Sequence, residues 1–249
     1  MREPRSRSAR PAFVILGAAA LFAAPFGAAA QQGSPTTEAV GEAAAPRYTP
    51  PLRGAPKGRI GSGTRGSRVA EARFDVVAPD HVGLTLQEQP TLYFHASRPV
   101  AAPVLLTIVA PDRQQPLVET MLPGPVWAGV NAVPLAQTAV RLQPGKEYEW
   151  SVSVVLDAAE RSRDIMAAGL IERVTSTAEG RALAALPARE AARRYAAAGL
   201  WYDAVDVLSR ALAQTPTDAT LRRDRAALLE QVGLREAIEV ERRALISGR

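Results

Sequence analysis

The hydrophobic period of this chain changes once, near Val174, and that change constrains the fold more than any single motif. From about Phe74 to Val174, short runs rich in Val, Leu, Thr and aromatic residues are punctuated by Pro and Gly at roughly ten-residue spacing. The spacing predicts antiparallel strands over Thr91–Ser97, Val104–Ala110, Leu117–Leu122, Gly129–Leu135, Tyr148–Asp157 and Ala168–Val174. The fifth is the clearest: Tyr148, Trp150, Val152, Val154 and Leu156 alternate with Glu149, Ser151 and Ser153, so one face should be buried and the other wet.

Leu142-Gln143-Pro144-Gly145-Lys146-Glu147-Tyr148 stands just before that strand. The spacing L-x-P-G-x-x-Y is similar to the tyrosine corner of fibronectin type III and related sandwiches. Pro144 and Gly145 turn the chain between sheets, and the Tyr148 hydroxyl can return to a backbone group upstream while its ring packs inside.

After Val174 the pattern becomes helical. Ser176-Thr177-Ala178-Glu179 reads as an S-x-x-E capping box, a short helix should end near Pro187, and the next should cover Arg189–Ala198 and stop at Gly199. Around Gly199, the positions of Ala192, Tyr195, Trp201, Ala204, Leu208, Ala211 and Pro216 resemble a tetratricopeptide-type helical hairpin, in which Gly opens the turn and Ala204 and Ala211 let helices approach. Gly233 falls 34 residues after Gly199, the period of that repeat. The expected fold class is therefore α+β: an immunoglobulin/fibronectin-III-like antiparallel β-sandwich followed by a short tetratricopeptide-like helical segment. The expected division is a leader over 1–30, a flexible basic tether over 31–73, a β-sandwich domain over 74–175 and a helical segment over 176–249.

The leader has a clear signature. Arg2, Arg5, Arg7 and Arg10 precede an apolar run from Ala12 to Ala24, and Ala28-Ala29-Ala30 precedes Gln31, the small-x-small pattern that signal peptidase reads. The strongly apolar core is about a dozen residues against roughly 20 needed to span a bilayer, so export with cleavage near Ala30, to the periplasm or beyond, is expected over a retained anchor. No second run of spanning length follows.

The formal charge of +5 is partly that leader, and the remaining residues carry 26 basic and 24 acidic side chains. Only Lys57 and Lys146 are lysine. Such a balance does not point to nucleic acid. The tether is the basic exception, with seven cations and one acid from Arg47 to Arg73. Arg59 and Arg65 in this strip are candidates for contacting an acidic partner or an envelope polysaccharide.

Chemistry is thinly represented. With no Cys and two His, disulfide, thiol and Cys-ligated metal sites are excluded and imidazole chemistry is scarce. Gly61-Ser62-Gly63-Thr64-Arg65-Gly66 matches G-x-G-x-x-G, yet no strand precedes it and no helix clearly follows. His95 and Ser97 share a strand face without a nucleophile elbow. Asp157, Glu160 and Asp164 lack the spacing of a calcium loop. No catalytic residue, cofactor or metal is expected. The densest aromatic cluster, Trp201-Tyr202-Asp203, is the candidate partner-binding site; Trp201 should pack inside the hairpin and Asp203 cap a helix, leaving Tyr202 to face outward.

Several short motifs occur in one order: Gly54-Ala55-Pro56-Lys57-Gly58-Arg59, Gly61-Ser62-Gly63-Thr64-Arg65-Gly66, Gly83-Leu84-Thr85, Pro90-Thr91-Leu92-Tyr93-Phe94, and Gly199-Leu200-Trp201-Tyr202-Asp203-Ala204. In this the chain resembles domain-of-unknown-function family 928 over about residues 50–240. The resemblance implies an exported bacterial protein with no assigned activity. The functional expectation is a non-enzymatic binding or scaffolding protein acting through a protein partner. The alternatives are a carbohydrate- or envelope-polymer-binding module using Tyr93 and His95, and an enzyme of unfamiliar type.

Overall fold

The described residues contain eight strands, in chain order β1 (Phe74–Val76), β2 (Gly83–Thr85), β3 (Thr91–Ala96), β4 (Val104–Val109), β5 (Val118–Met121), β6 (Gly129–Pro134), β7 (Glu147–Val154) and β8 (Ile165–Arg173). The computed structural model describes residues 44–51, 59–60 and 72–247. Six strands occupy the alternating runs; β1 and β2, three residues each, are too short to carry a readable period. Two sheets result. One has the order β1-β3-β6, the other β2-β8-β7-β4-β5, with β2 parallel to β8 from Gly83↔Ile171 to Thr85↔Arg173. Both sheets feed one apolar cluster, to which β3 contributes Leu92 and Phe94, β4 Leu106 and Ile108, and β7 Trp150 and Val152.

Two features of β7 refine the expectation. Gln143 N donates to Tyr148 Oη at 3.0 Å across the Pro144-Gly145 turn, and Gly145 takes φ +74, so the corner forms as its residues suggest. The second face of β7 is wet only at its start: Glu149 is exposed, while Ser151 and Ser153 are each only 7% exposed. A strand between two paired neighbours is shielded by them, here Leu105 and Met166 beside Ser153 in register.

Five α-helices follow: α1 (Ala178–Ala182), α2 (Ala188–Ala197), α3 (Trp201–Gln214), α4 (Ala219–Gln231) and α5 (Arg235–Ser247). The cap of α1 is Thr177, whose Oγ accepts from Gly180 N at 3.0 Å, one residue later than the expected Ser176. Asp218 caps α4 by accepting from Thr220 N and Leu221 N. The turns between α2 and α3 and between α4 and α5 each pass through a left-handed glycine, Gly199 at φ +76 and Gly233 at φ +71. The chain thus contains two helix–turn–helix pairs, α2–α3 and α4–α5. No described helix is long and apolar enough to cross a membrane.

The expected boundaries at 73 and 175 do not separate independent bodies, because residues from 43 onward form one unit. Buried residues of the helices, including Ala191, Trp201, Tyr202 and Leu208, join the same apolar cluster as those of the sheets. Parts of the expected tether are also packed down. Tyr48 is 6% exposed, its ring stacks on His81 and meets Trp201 edge-on, and Ile60 exchanges backbone hydrogen bonds with Ala168. Thr49 N donates to Ala196 O, beside Gly199. The leader over 1–30 and Arg65 lie outside the described residues.

Candidate functional site

Trp201, Tyr202 and Asp203, of which only Tyr202 was expected to face outward, begin α3, and all three are buried, at 0%, 2% and 4% exposure. Their polar atoms are used inward. Trp201 Nε1 donates to Val77 O at 3.0 Å, Tyr202 Oη donates to Leu170 O at 2.9 Å and accepts from Trp150 Nε1 at 2.9 Å. Asp203 accepts from Leu86 N at 3.0 Å and from Gln87 Nε2 at 3.3 Å. The expectation that Tyr202 faces outward and that Asp203 caps a helix is therefore corrected. The cluster bolts α3 onto β1, β2, β7 and β8, and a Cβ at Gly83 on β2 would lie 2.6 Å from the Tyr202 ring. Ala204, in the next position, is fully buried.

Arg59 is likewise committed. Its Nη1 donates to Ala78 O and Val232 O at 2.9 and 3.2 Å, tying the strip before β1 to the α4–α5 turn, and burial lowers its pKa. It is no free docking cation.

A groove lies elsewhere, over the face of β3 and β6 that carries Tyr93, itself a member of the apolar cluster. Register pairs Tyr93↔Ala132 and His95↔Val130 place these four side chains on one face, and α3 and α4 form the opposite wall of a 470 Å³ groove. Its lining includes Tyr93, Arg210, Arg222 and Arg225 and no carboxylate. The acids stand behind. Tyr93 Oη donates to Asp206 Oδ1 at 2.9 Å, and Asp206 Oδ2 pairs with Arg210 Nε at 2.9 Å. Arg225 donates to Ser209 Oγ and pairs with Glu241, which also takes Arg222 Nη1 at 3.3 Å. Side-chain exposure is 15% at Asp206 and 1% at Glu241, against 68% at Arg210. All three guanidiniums have partners, Arg222 also donating to Pro216 O at 3.0 and 2.7 Å, and of the three only Arg210 has most of its side chain exposed. Sequence reasoning missed the groove because its walls come from distant elements; the only local hint is Arg222 and Arg225, three apart on one helix face.

On the far side of β6 a second cavity, of 170 Å³, has a mixed lining, in which Phe94, Leu122, Val126 and Val133 stand beside Asn131 and Gln137. Beside it Trp127 is 64% exposed. Asn131 holds the backbone of that residue, its Oδ1 accepting from Trp127 N at 3.2 Å and its Nδ2 donating to Trp127 O at 2.9 Å.

The imagined reactive groups do not assemble. Ser97 Oγ accepts from Arg73 N, and His95 is fully buried with neither ring nitrogen bonded. The oxygens of Asp164 are occupied by Leu156 N and Arg161 Nε. His95 lies in register with Asp75 of β1, and Glu236 and Arg243 of α5 act on it electrostatically.

These buried groups predict a pH response. Burial pushes His95 down from 6.5 to about 4, while Glu236 pulls the other way. Between those values the unfolded chain binds the proton first, so stability falls as pH drops through the window, by about 3 kcal/mol. Burial pushes Asp203 up from 3.8 to about 6 against the hydrogen bonds it accepts, so the folded chain binds that proton first and stability falls, by about 3 kcal/mol, as pH rises from about 4 to 6. The two slopes oppose. Burial raises Asp75 and Asp206 in the same sense as Asp203, so urea unfolding of the unaltered chain from pH 4 to 6 should give a profile between those of variants that remove one slope or the other. His95→Leu should leave a stability that declines with pH there, and Asp203→Asn one that rises; parallel profiles for the two variants would contradict this.

Fold and groove together define an α+β protein in which two β-sheets and paired helices share one core and leave a cationic groove between sheet and helix. The family model for Domain of Unknown Function (DUF928) matches residues 60–242, and the chain belongs to that family. No curated protein matches it.

Proposed function

We propose that this chain is a non-enzymatic, exported binding or scaffolding protein that works through contacts with another protein. The observation that carries this reading is the groove between β6 and α3–α4, walled by Arg210, whose side chain is 68% exposed, with Arg222, Arg225 and their carboxylate partners beneath. Meanwhile His95 and Asp203 are sealed inside and Ser97 is bonded to backbone. The glycan alternative loses its expected contact residues, since Tyr93 and His95 are 5% and 0% exposed.

The architecture favours such a role. The sheet orders β1-β3-β6 and β2-β8-β7-β4-β5, with the Tyr148 corner opening β7, support an immunoglobulin/fibronectin-III-like sandwich, a scaffold that presents edges and loops for recognition. The two helical pairs, turning at Gly199 and Gly233, support a tetratricopeptide-like segment of two units. Two units are short of a free-standing solenoid, and here the sheets supply the missing neighbour. Export rests on the basic n-region, apolar core and Ala28-Ala29-Ala30 of the leader.

The test is site-directed photo-crosslinking in the producing bacterium with the full chain. A photoreactive residue at Ala213, on the groove wall, should trap one discrete protein, whereas the same residue at exposed Glu149 should not. Equal yields from both positions, or no protein adduct from Ala213, would overturn the reading.

A further inference from the structure

We propose that β6 is a docking edge for an extended segment of a partner protein in which apolar and acidic side chains alternate, an assignment that rests on the binding role above and specifies the partner's chemistry. The directions of the backbone groups establish the edge. Tyr93 O accepts from Val77 N at 2.8 Å and Ser97 N donates to Arg73 O at 2.9 Å, so the odd-numbered residues of β3 point their backbone groups at β1. Leu92, Phe94 and Ala96 therefore point at β6, where Val133, Asn131 and Gly129 are their register partners. Val130 and Ala132 are left directing N–H and C=O the other way, toward a margin on which no strand pairs among the described residues. Pro134 has no N–H to offer and closes one end of that margin.

An unpaired edge invites strand addition, and native proteins normally blunt it with charge, a bulge or a cover. Here the edge is short and Ala132 on it is exposed. The cavities on either side give the occupant its chemistry. Ala132 and Pro134 line both the 170 Å³ cavity and the 470 Å³ arginine groove, so the two open on the same edge. Side chains of an added strand alternate between faces, so one set meets Phe94, Leu122 and Val126 and the other meets Arg210, Arg222 and Arg225. Phe94, Leu122 and Val126 call for apolar side chains in the first set. The second is called for by charge, because Arg210, Arg222 and Arg225 face only two carboxylates, Asp206 and Glu241, and the side chain of Arg210 is 68% exposed at the groove wall. Trp127, exposed just before β6 begins with its backbone fixed by Asn131, offers an aromatic side chain at the end of the added strand.

The test titrates the full chain with a capped (Val-Glu)₃ peptide, a capped (Val-Lys)₃ peptide, and a (Val-Glu)₃ peptide N-methylated at alternate amides. Amide hydrogen exchange is read at Val130 and Ala132. The Glu peptide should slow exchange at both amides by roughly tenfold or more, and the Lys and N-methylated peptides should not. Arg210→Glu should weaken the Glu peptide by roughly tenfold. Ala132→Pro should abolish binding with the melting temperature little changed, because the N–H it removes is outside the ladder; should that variant not fold, Arg210→Glu and the N-methylated peptide still decide. Unchanged exchange at Val130 and Ala132, equal effects of the Lys peptide, or protection that grows with protein concentration alone, as edge pairing between two copies would give, overturns the proposal. The wider binding role is separated by the Ala213 photo-crosslink: an adduct that persists in Ala132→Pro leaves that role standing and removes the edge as its site.

Discussion

Replacing Trp201 with alanine should cost about 4 kcal/mol and unfold sheets and helices in a single transition. The indole is fully buried, its Nε1 donates to Val77 O at 3.0 Å, and Tyr48 meets it edge-on with ring centroids 5.0 Å apart. Alanine would leave a ring-sized cavity, strand the Val77 carbonyl and remove the partner that holds Tyr48, and the neighbouring Tyr202 is bonded to Trp150 and Leu170 and cannot move to fill the space. Trp201→Phe keeps most of the volume and should cost about half as much. Trp127→Ala, at 64% exposure, should cost almost nothing. Denaturant unfolding followed by far-ultraviolet circular dichroism at helix- and strand-sensitive wavelengths checks this. Two transitions, with the strand signal unmoved in Trp201→Ala, would mean that the helices form a separate body.

Gly199→Pro should be nearly as damaging, at about 3 to 4 kcal/mol. Gly199 sits at φ +76, which proline cannot adopt, and its N–H donates to Ala196 O at 3.0 Å, a bond proline lacks. The position is crowded as well, since a Cβ would stand 3.0 Å from Thr49 O. Gly233 is a control within the same chain: it has a similar φ of +71 but nothing within 4 Å of a Cβ. Gly233→Ala should therefore cost only the left-handed conformation, about 1 kcal/mol, and Gly199→Ala should cost more by whatever displacing the 44–51 segment requires. In thermal melts Gly199→Pro should be the most destabilised of the three variants, Gly199→Ala intermediate and Gly233→Ala the least. Equal melts for the two alanine variants would show that Thr49 contributes nothing at that turn.

The groove owes its invisibility to the same long-range packing. Tyr93 is separated from Arg210 and Arg225 by more than a hundred residues of chain, and only the seating of α3 and α4 on β3 and β6 makes them neighbours. The alternation that located β3 also made Tyr93 and His95 look like surface residues. Alternation reports which side chains share a face, and it is silent on whether a second layer covers that face.

What the sequence alone determined is what adjacent residues decide among themselves. Period-two runs made β3 to β8, glycine at 199 and 233 made the two helical turns, Pro144-Gly145 and Tyr148 made the corner, and the ordered motifs identified the family. These depend on local sterics and on the spacing of apolar side chains, both carried by a few neighbouring positions. The tertiary structure alone decided that Trp201, Tyr202 and Asp203 are a buried bolt and not an exposed patch, that Arg59 and Tyr48 pack onto the body, and that Ser151 and Ser153 are covered. Burial is set by which distant surface arrives, and an amphipathic aromatic such as Tyr202 is equally suited to a wet interface or to a core that offers its hydroxyl a carbonyl. Leu170 O and Trp150 Nε1 make that offer, and neither is near Tyr202 in the chain.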